Sequence, residues 1–150
     1  MAIREVRKRG DEILSKVCKP VTVFDKKLGI LLDDMYDTMI KFDGVGLAGP
    51  QIGILKRVAV IDIGEGRIEL VNPRIISQSG TQNGPEGCLS VPGVFGEVER
   101  PNNVTVAAQD RDGNEFTVSG EGFLARAFCH ELEHLDGKLF LERVTKFVEN

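Results

Sequence analysis

The chain has 150 residues, of which 41% are hydrophobic and 28% charged, with a formal net charge of −4; this is the make-up of one ordinary globular domain with a core of its own, and it excludes a disordered or low-complexity chain. The acidic balance speaks against DNA binding, which needs clustered Lys and Arg to displace counterions, and no stretch nears the roughly 18 to 20 apolar residues of a membrane span. Met1-Ala2-Ile3-Arg4 runs into charge and not into an apolar signal region, so the expected location is the cytoplasm.

The N-terminal Arg4, Arg7, Lys8 and Arg9 form a small basic patch that is cut off by Asp11 and Glu12. It reads as a solvated surface, with RNA contact the lesser alternative. Leu28, Leu31, Leu32, Met35, Met39 and Phe42 follow the spacing of one helix face, with Asp25 to cap the start and Gly44 to end it. The stretch 44–53 then holds four glycines and a proline, which predicts an irregular loop with its backbone close against something else. Arg57 to Ile63 and Ile68 to Val71, flanking Gly64-Glu65-Gly66, read as strands, and Arg74 to Ser79 as another. A second irregular stretch is expected over 83–93. Val104 to Gln109 and Glu115 to Val118 form a predicted hairpin across Asp110-Arg111-Asp112-Gly113-Asn114. The last clear helix is expected from about Glu121 to Asp136 with Gly137 as its stop, followed by a short helix within Leu139 to Asn150. No segment repeats another, so a solenoid is excluded. Helices toward the ends and strands between them predict a single α+β domain, with antiparallel sheets packed around the C-terminal helix and an amphipathic helix nearer the N-terminus.

The chemistry concentrates on that C-terminal helix. His130-Glu131-Leu132-Glu133-His134 stacks two imidazoles one turn apart, where they can share a metal ion, with Glu131 on the same side. They are the only two histidines of the chain. The competing reading is a solvated helix face, but the neighbouring Phe128 and Leu135 would then set polar groups against an apolar one. Two imidazoles do not complete a tetrahedral site, and Cys88, in the bendable Glu86-Gly87-Cys88-Leu89-Ser90, is the best third ligand, although a free cysteine taken alone is usually a packing residue. Cys129 is one helical step, about 100°, away from His130 and reads as packing. Cys18 also reads as structural. An odd set of three cysteines without C-x-x-C spacing fits a reducing compartment.

Three segments in order, Gly44-Val45-Gly46-Leu47-Ala48-Gly49-Pro50-Gln51, Glu86-Gly87-Cys88-Leu89-Ser90 and His130-Glu131-Leu132-Glu133-His134, resemble peptide deformylases. The likeness extends over nearly the whole chain. Gly49 stands where the family usually has Ala, and Glu133 where it usually has Asp. The resemblance implies removal of the N-formyl group from the initiator methionine of new proteins, with release of formate. Cys88, His130 and His134 would hold the metal and leave one position open; Glu131 would be the acid/base; the Gln51 side-chain amide and the Leu89 backbone N–H would serve the oxyanion. Spacing alone suggests zinc, a thiolate suits a soft or borderline metal, and the resemblance implies Fe2+, with Zn2+, Ni2+ or Co2+ as possible occupants after purification. The peptide would lie extended beside Gly46, with its methionine side chain among Val45, Phe123, Ala127 and the stem of Arg126. Glu86 and Arg100 resemble a family pair that supports the second loop. Expected partners are formyl-methionyl peptides and nascent chains, with transient ribosome contact possible. Two other readings remain: a zinc peptidase, favoured by the His-Glu-x-x-His pattern alone, and a non-catalytic module that binds nascent chains or RNA.

Overall fold

In the computed structural model, which describes residues 2–148, the first apolar stripe forms helix α1, Lys26–Lys41, and buries Leu28, Leu31, Leu32, Met35 and Met39. Asp25 caps it by accepting the Leu28 N–H at 3.1 Å, a bond of the kind that contributes about 1 kcal/mol. Its end differs from the expected glycine stop. Asp43 takes the left-handed conformation at φ 57°, which a short polar side chain tolerates, and the following Gly44 has another use: a Cβ there would lie 2.7 Å from Leu89 Cδ1. Phe42, read above as part of the buried stripe, sits just past the helix and is 44% exposed.

Five strands make an antiparallel sheet: β1 (Gly46–Ala48), β2 (Val58–Ile61), β3 (Ile68–Ser79), β6 (Asn103–Gln109) and β7 (Glu115–Glu121), in the order β1-β2-β3-β6-β7. Alternation along β2 divides it between two cores. Val58 and Val60 pack with the α1 residues Leu31, Leu32, Met35 and Met39, whereas Ile61 joins Leu70, Val104, Val106 and Phe128 on the opposite face. This is why all four β2 residues are buried and why the strand reads as a continuous apolar run. The second face is covered by helix α2, Phe123–Leu135. Glu121, expected inside α2, instead completes β7, and Gly122 makes the turn at φ 60°. Gly137, at φ 77°, stops the helix as expected, its N–H donating to the His134 carbonyl.

A smaller sheet has the order β4-β5-β8, from β4 (Gln82–Cys88), β5 (Val91–Arg100) and β8 (Val144–Val148). The readings of both irregular stretches and of the tail fail. The stretch 83–93 is a hairpin, not an irregular loop, its strands joined across Leu89 and Ser90. Pro85 is tolerated because β4 is an edge strand, and Gly87 lets Phe95 come close, since a Cβ there would lie 2.5 Å from its ring. The stretch 44–53 contains β1 and a 3-10 turn at Gly49–Ile52. The tail forms a 3-10 turn, Phe140–Arg143, and then β8, not a helix; its β-branched and aromatic residues pair with β5, Val148 opposite Phe95. The last two residues of that expected helix, Glu149 and Asn150, lie outside the described residues. The candidate strands at 68–71 and 74–79 are one strand, β3, which bulges between Val71 and Arg74. Asn72 sits at that bulge with φ 51°, its side chain bonded to Val21 and Gln109.

Among the described residues no helix is long and apolar enough to cross a membrane. Of the basic patch, Arg4 binds Asp34 of α1 and Arg7 binds Asp11.

Candidate metal centre

Cys88 ends β4 at the turn into β5, and α2 presents His130 and His134 one turn apart toward it. The Cys88 Sγ lies 3.4 Å from His134 Nε2, and ligand atoms of all three residues fall within 4.8 Å of one another. Two atoms bound tetrahedrally to one ion at about 2.0–2.3 Å would be roughly 3.3–3.7 Å apart, so the donor set fits a metal with little adjustment. The imidazoles meet edge to face, centroids 5.0 Å apart, and Phe140 packs beside His130.

The orientation of His130 is fixed from behind. Its Nδ1 is 2.9 Å from Glu86 Oε1. Burial alone would raise the Glu86 carboxyl, but hydrogen bonds from Arg100 and His130 outweigh it and bring it down to about 2. An ionised Glu86 accepts the Nδ1 proton and leaves Nε2 for the metal, the usual outer support of a histidine ligand. Burial opposes charge on His130, yet hydrogen bonds to Cys88 and Glu86 hold its pKa well above the usual histidine range; a metal ion held by these residues would take the place of that proton. Burial, then the His130 charge, keep His134 well below the usual range, and a neutral imidazole is the ligating form.

A cleft of about 610 Å³ opens onto Cys88, His130 and Glu131. Glu131 is 3% exposed, and burial pushes its carboxyl up to about 7. Its Oε1 has no hydrogen-bond partner among the described residues, and its other oxygen lies against β1, where a Cβ at Gly46 would come within 2.3 Å of Oε2. The backbone approach expected of this stretch is therefore to the acid/base candidate. Val45, Gly46, Leu89, Phe123, Arg126 and Ala127 all line the cleft. Gln51 stands behind the sulfur: Oε1 accepts the Ala48 N–H at 2.9 Å, while Nε2 donates to Cys88 Sγ at 3.4 Å and to Ser90 Oγ at 3.2 Å.

Cys129 packs in the core with Phe128 and Leu132, and Cys18 beside Leu135; both thiols are buried and free. Gly49 fits the loop that follows it, because a Cβ there would lie 2.7 Å from the carbonyl oxygens of Ile54 and Lys56. Glu133 bridges Arg100 and Arg143. Sequence reasoning missed Ser90, Gln82 and the cleft walls Phe42 and Phe95. Ser90 could have been found from its place in the cysteine segment; the others carry no local signal.

Comparison with known proteins gives a consistent picture. The sequence model of the family described as "Polypeptide deformylase" matches residues 3–150. A peptide deformylase of Caldicellulosiruptor bescii is 60% identical over 148 residues, covering 99% of this chain and 89% of the relative, and peptide deformylase 1 of Bacillus subtilis is 56% identical over 149 residues, covering 98% and 93%. The crystal structure of peptide deformylase from Thermotoga maritima superposes with a TM-score of 0.95 at 40% identity, covering 97% of this chain and 99% of that one.

Proposed function

This chain belongs to the peptide deformylase family, and on that footing we propose that Cys88, His130 and His134 hold the metal of a deformylase in which Glu131 is the acid/base. The activity is metal-dependent hydrolysis of the N-formyl group from formyl-methionyl ends of new proteins, with release of formate. The observation that carries the site assignment is the convergence of one sulfur and two imidazoles, within 4.8 Å, beside a cleft whose wall holds Cys88, His130 and the buried carboxyl of Glu131.

The ion, when bound, lowers the pKa of water and polarises the formyl oxygen. Glu131 takes the proton of the attacking water and hands it to the departing amine. The oxyanion that forms at the formyl carbon receives the Leu89 backbone N–H and one N–H of Gln51. Of the two amide protons on Gln51, the one on the Cys88 side would be shared with the oxyanion, while Ser90 holds the other. The peptide extends beside Gly46, with its methionine side chain against Val45, Phe123, Ala127 and the Arg126 stem.

We assign Fe2+ as the working ion, with Zn2+, Ni2+ or Co2+ as alternative occupants. The enzyme works in the cytoplasm on nascent chains, in transient contact with the ribosome. The peptidase reading loses ground because its third ligand is typically a carboxylate or histidine, and this chain offers a thiol and no third histidine. Glu131→Gln separates catalysis from mere binding: it should retain the metal and the fold while suppressing formate release by orders of magnitude in an anaerobic assay on formyl-Met peptides, with metal analysis of the same sample. Equal turnover by the two forms would remove Glu131 from the chemistry.

A further inference from the structure

We propose that Arg126, beyond lining the cleft with its stem, is a positioning residue that holds the metal ligands in register. It does so by clasping β4 and β5 to α2 and fixing the carboxylate that orients His130. The inference rests on the assignment of Cys88, His130 and His134 as ligands.

The ligands come from two elements that no backbone ladder joins: Cys88 from β4 of the small sheet, His130 and His134 from α2. Their register depends on side chains that cross the gap. Arg126 is one helical turn before His130, on the same face, and is 4% exposed. Its Nη1 donates to Glu86 Oε2 at 2.7 Å and to the Val98 carbonyl oxygen at 2.9 Å, and its Nη2 donates to Gln82 Oε1 at 3.2 Å. These acceptors lie at both ends of β4 and on β5. Gln82 in turn donates to the Gly122 carbonyl at the start of α2, at 2.6 Å. Glu86 is two residues before Cys88, so the clasp closes next to the sulfur.

The carboxylate geometry says what Arg126 adds. Arg100 grips both oxygens of Glu86, with Nε to Oε2 at 2.8 Å and Nη2 to Oε1 at 2.9 Å, and His130 takes Oε1. Arg100 defines the fork from the partner strand and reaches α2 only through Glu133, on the far side of His130 from Arg126. Arg126 reaches Oε2 from the helix that carries the imidazoles, so the same element is bonded to the carboxylate at both oxygens. The planar guanidinium spreads its donors over three separated acceptors in a fixed fork, a span that a compact ammonium does not cover, and a thioether has no donor at all. Gly84 leaves the space: a Cβ there would lie 3.1 Å from Nη2.

The test uses the full chain, stripped of metal and titrated with Co2+ against a competing chelator. Arg126→Met, which keeps the apolar stem, should weaken Co2+ binding about 10- to 100-fold, the usual cost of losing an outer support of a ligand, and should alter the visible d–d spectrum of the bound ion. The kcat of the reloaded enzyme should fall with KM for a formyl-Met peptide little changed. Arg126→Lys should lie between the two and, if the methionine variant fails to fold, carries the measurement alone. In a Glu86→Gln background the further loss from Arg126→Met should shrink markedly, because the two act through one carboxylate. Co2+ binding by a folded Arg126 variant as tight as the parent's, with a raised KM alone, would reduce Arg126 to a cleft wall and overturn the proposal. An undiminished effect in the Glu86→Gln background would overturn it too. Cys88→Ala and His134→Ala serve as controls: if the parent's Co2+ site survives both, it is the ligand assignment that fails and not the role of Arg126.

Discussion

Replacing Gly46 by alanine would set a methyl carbon 2.3 Å from Glu131 Oε2, 2.8 Å from its Cδ and 3.0 Å from its Cγ. Restoring ordinary contact near 3.5 Å requires a relative shift of roughly 1 Å. The strand cannot easily supply it, since Gly46 is paired with Ile61 and the neighbouring Leu47 and Ala48 are fully buried; the carboxylate must move. A displacement of about 1 Å at a catalytic group costs on the order of 100-fold in rate, or about 2.7 kcal/mol of barrier. Overpacking costs about 1–3 kcal/mol of stability, partly offset by the better strand propensity of alanine over glycine, roughly 0.5–1 kcal/mol. Gly46→Ala should therefore fold, bind its metal and show kcat for formate release about 100-fold below the parent. Because the effect runs through one carboxylate, the double variant with Glu131→Gln should be scarcely slower than Glu131→Gln alone. A Gly46→Ala enzyme within threefold of the parent, or fully multiplicative losses in the double variant, would refute this account of the glycine.

Cys88→Asp should keep some metal yet lose most deformylation in the same assay, and full activity would remove the thiolate from the mechanism. Ser90→Ala withdraws the fully buried hydroxyl that fixes one amide proton of Gln51; kcat should fall about tenfold with KM little changed, corresponding to about 1.4 kcal/mol and within the range for a lost buried hydrogen bond, and an unchanged kcat would contradict the role given to Ser90. Burial pushes the Asp34 carboxyl up, but the Ala2 N–H and the Arg4 guanidinium outweigh it and hold it below the usual range. A lowered folded pKa gives stability that is complete above the unfolded value near 3.9 and fades as pH drops through the folded one. Asp34→Asn should accordingly be less stable than the parent at pH 7 in urea titrations, the gap narrowing as pH falls below about 4; a gap independent of pH would contradict the sign.

The two helices and the candidate metal cluster were legible because their signals are local or chemically scarce. The α1 stripe repeats at helical spacing over four turns, and two lone histidines in one five-residue segment leave few other meanings. The Gly- and Pro-rich segments misled for a physical reason. In β1 and β4 the glycines mark places where another group comes close, Glu131 at Gly46 and Phe95 at Gly87, and strand formation there follows from neighbours distant in sequence, not from propensity. The tail was misread for the same cause, since its partner β5 lies some fifty residues earlier. Arg126 was assigned to the cleft from its position on α2, and the residue lies in the cleft wall; the guanidinium's attachment to Gln82, Glu86 and Val98 depends on a fold-level juxtaposition that no spacing encodes.

The hairpin β4–β5 leaves the large sheet after β3 and returns to it at β6, through Gly80-Thr81 on one side and Pro101-Asn102 on the other. Two such short pivots make it an arm, with the sulfur near its tip, where the Arg9 N–H holds the Ser90 carbonyl, and with side chains bracing it against α2. Loosening the braces would let the sulfur drift from the imidazoles while both sheets stay whole. Damage to this enzyme can thus take the form of a correctly folded protein that has lost its grip on its metal.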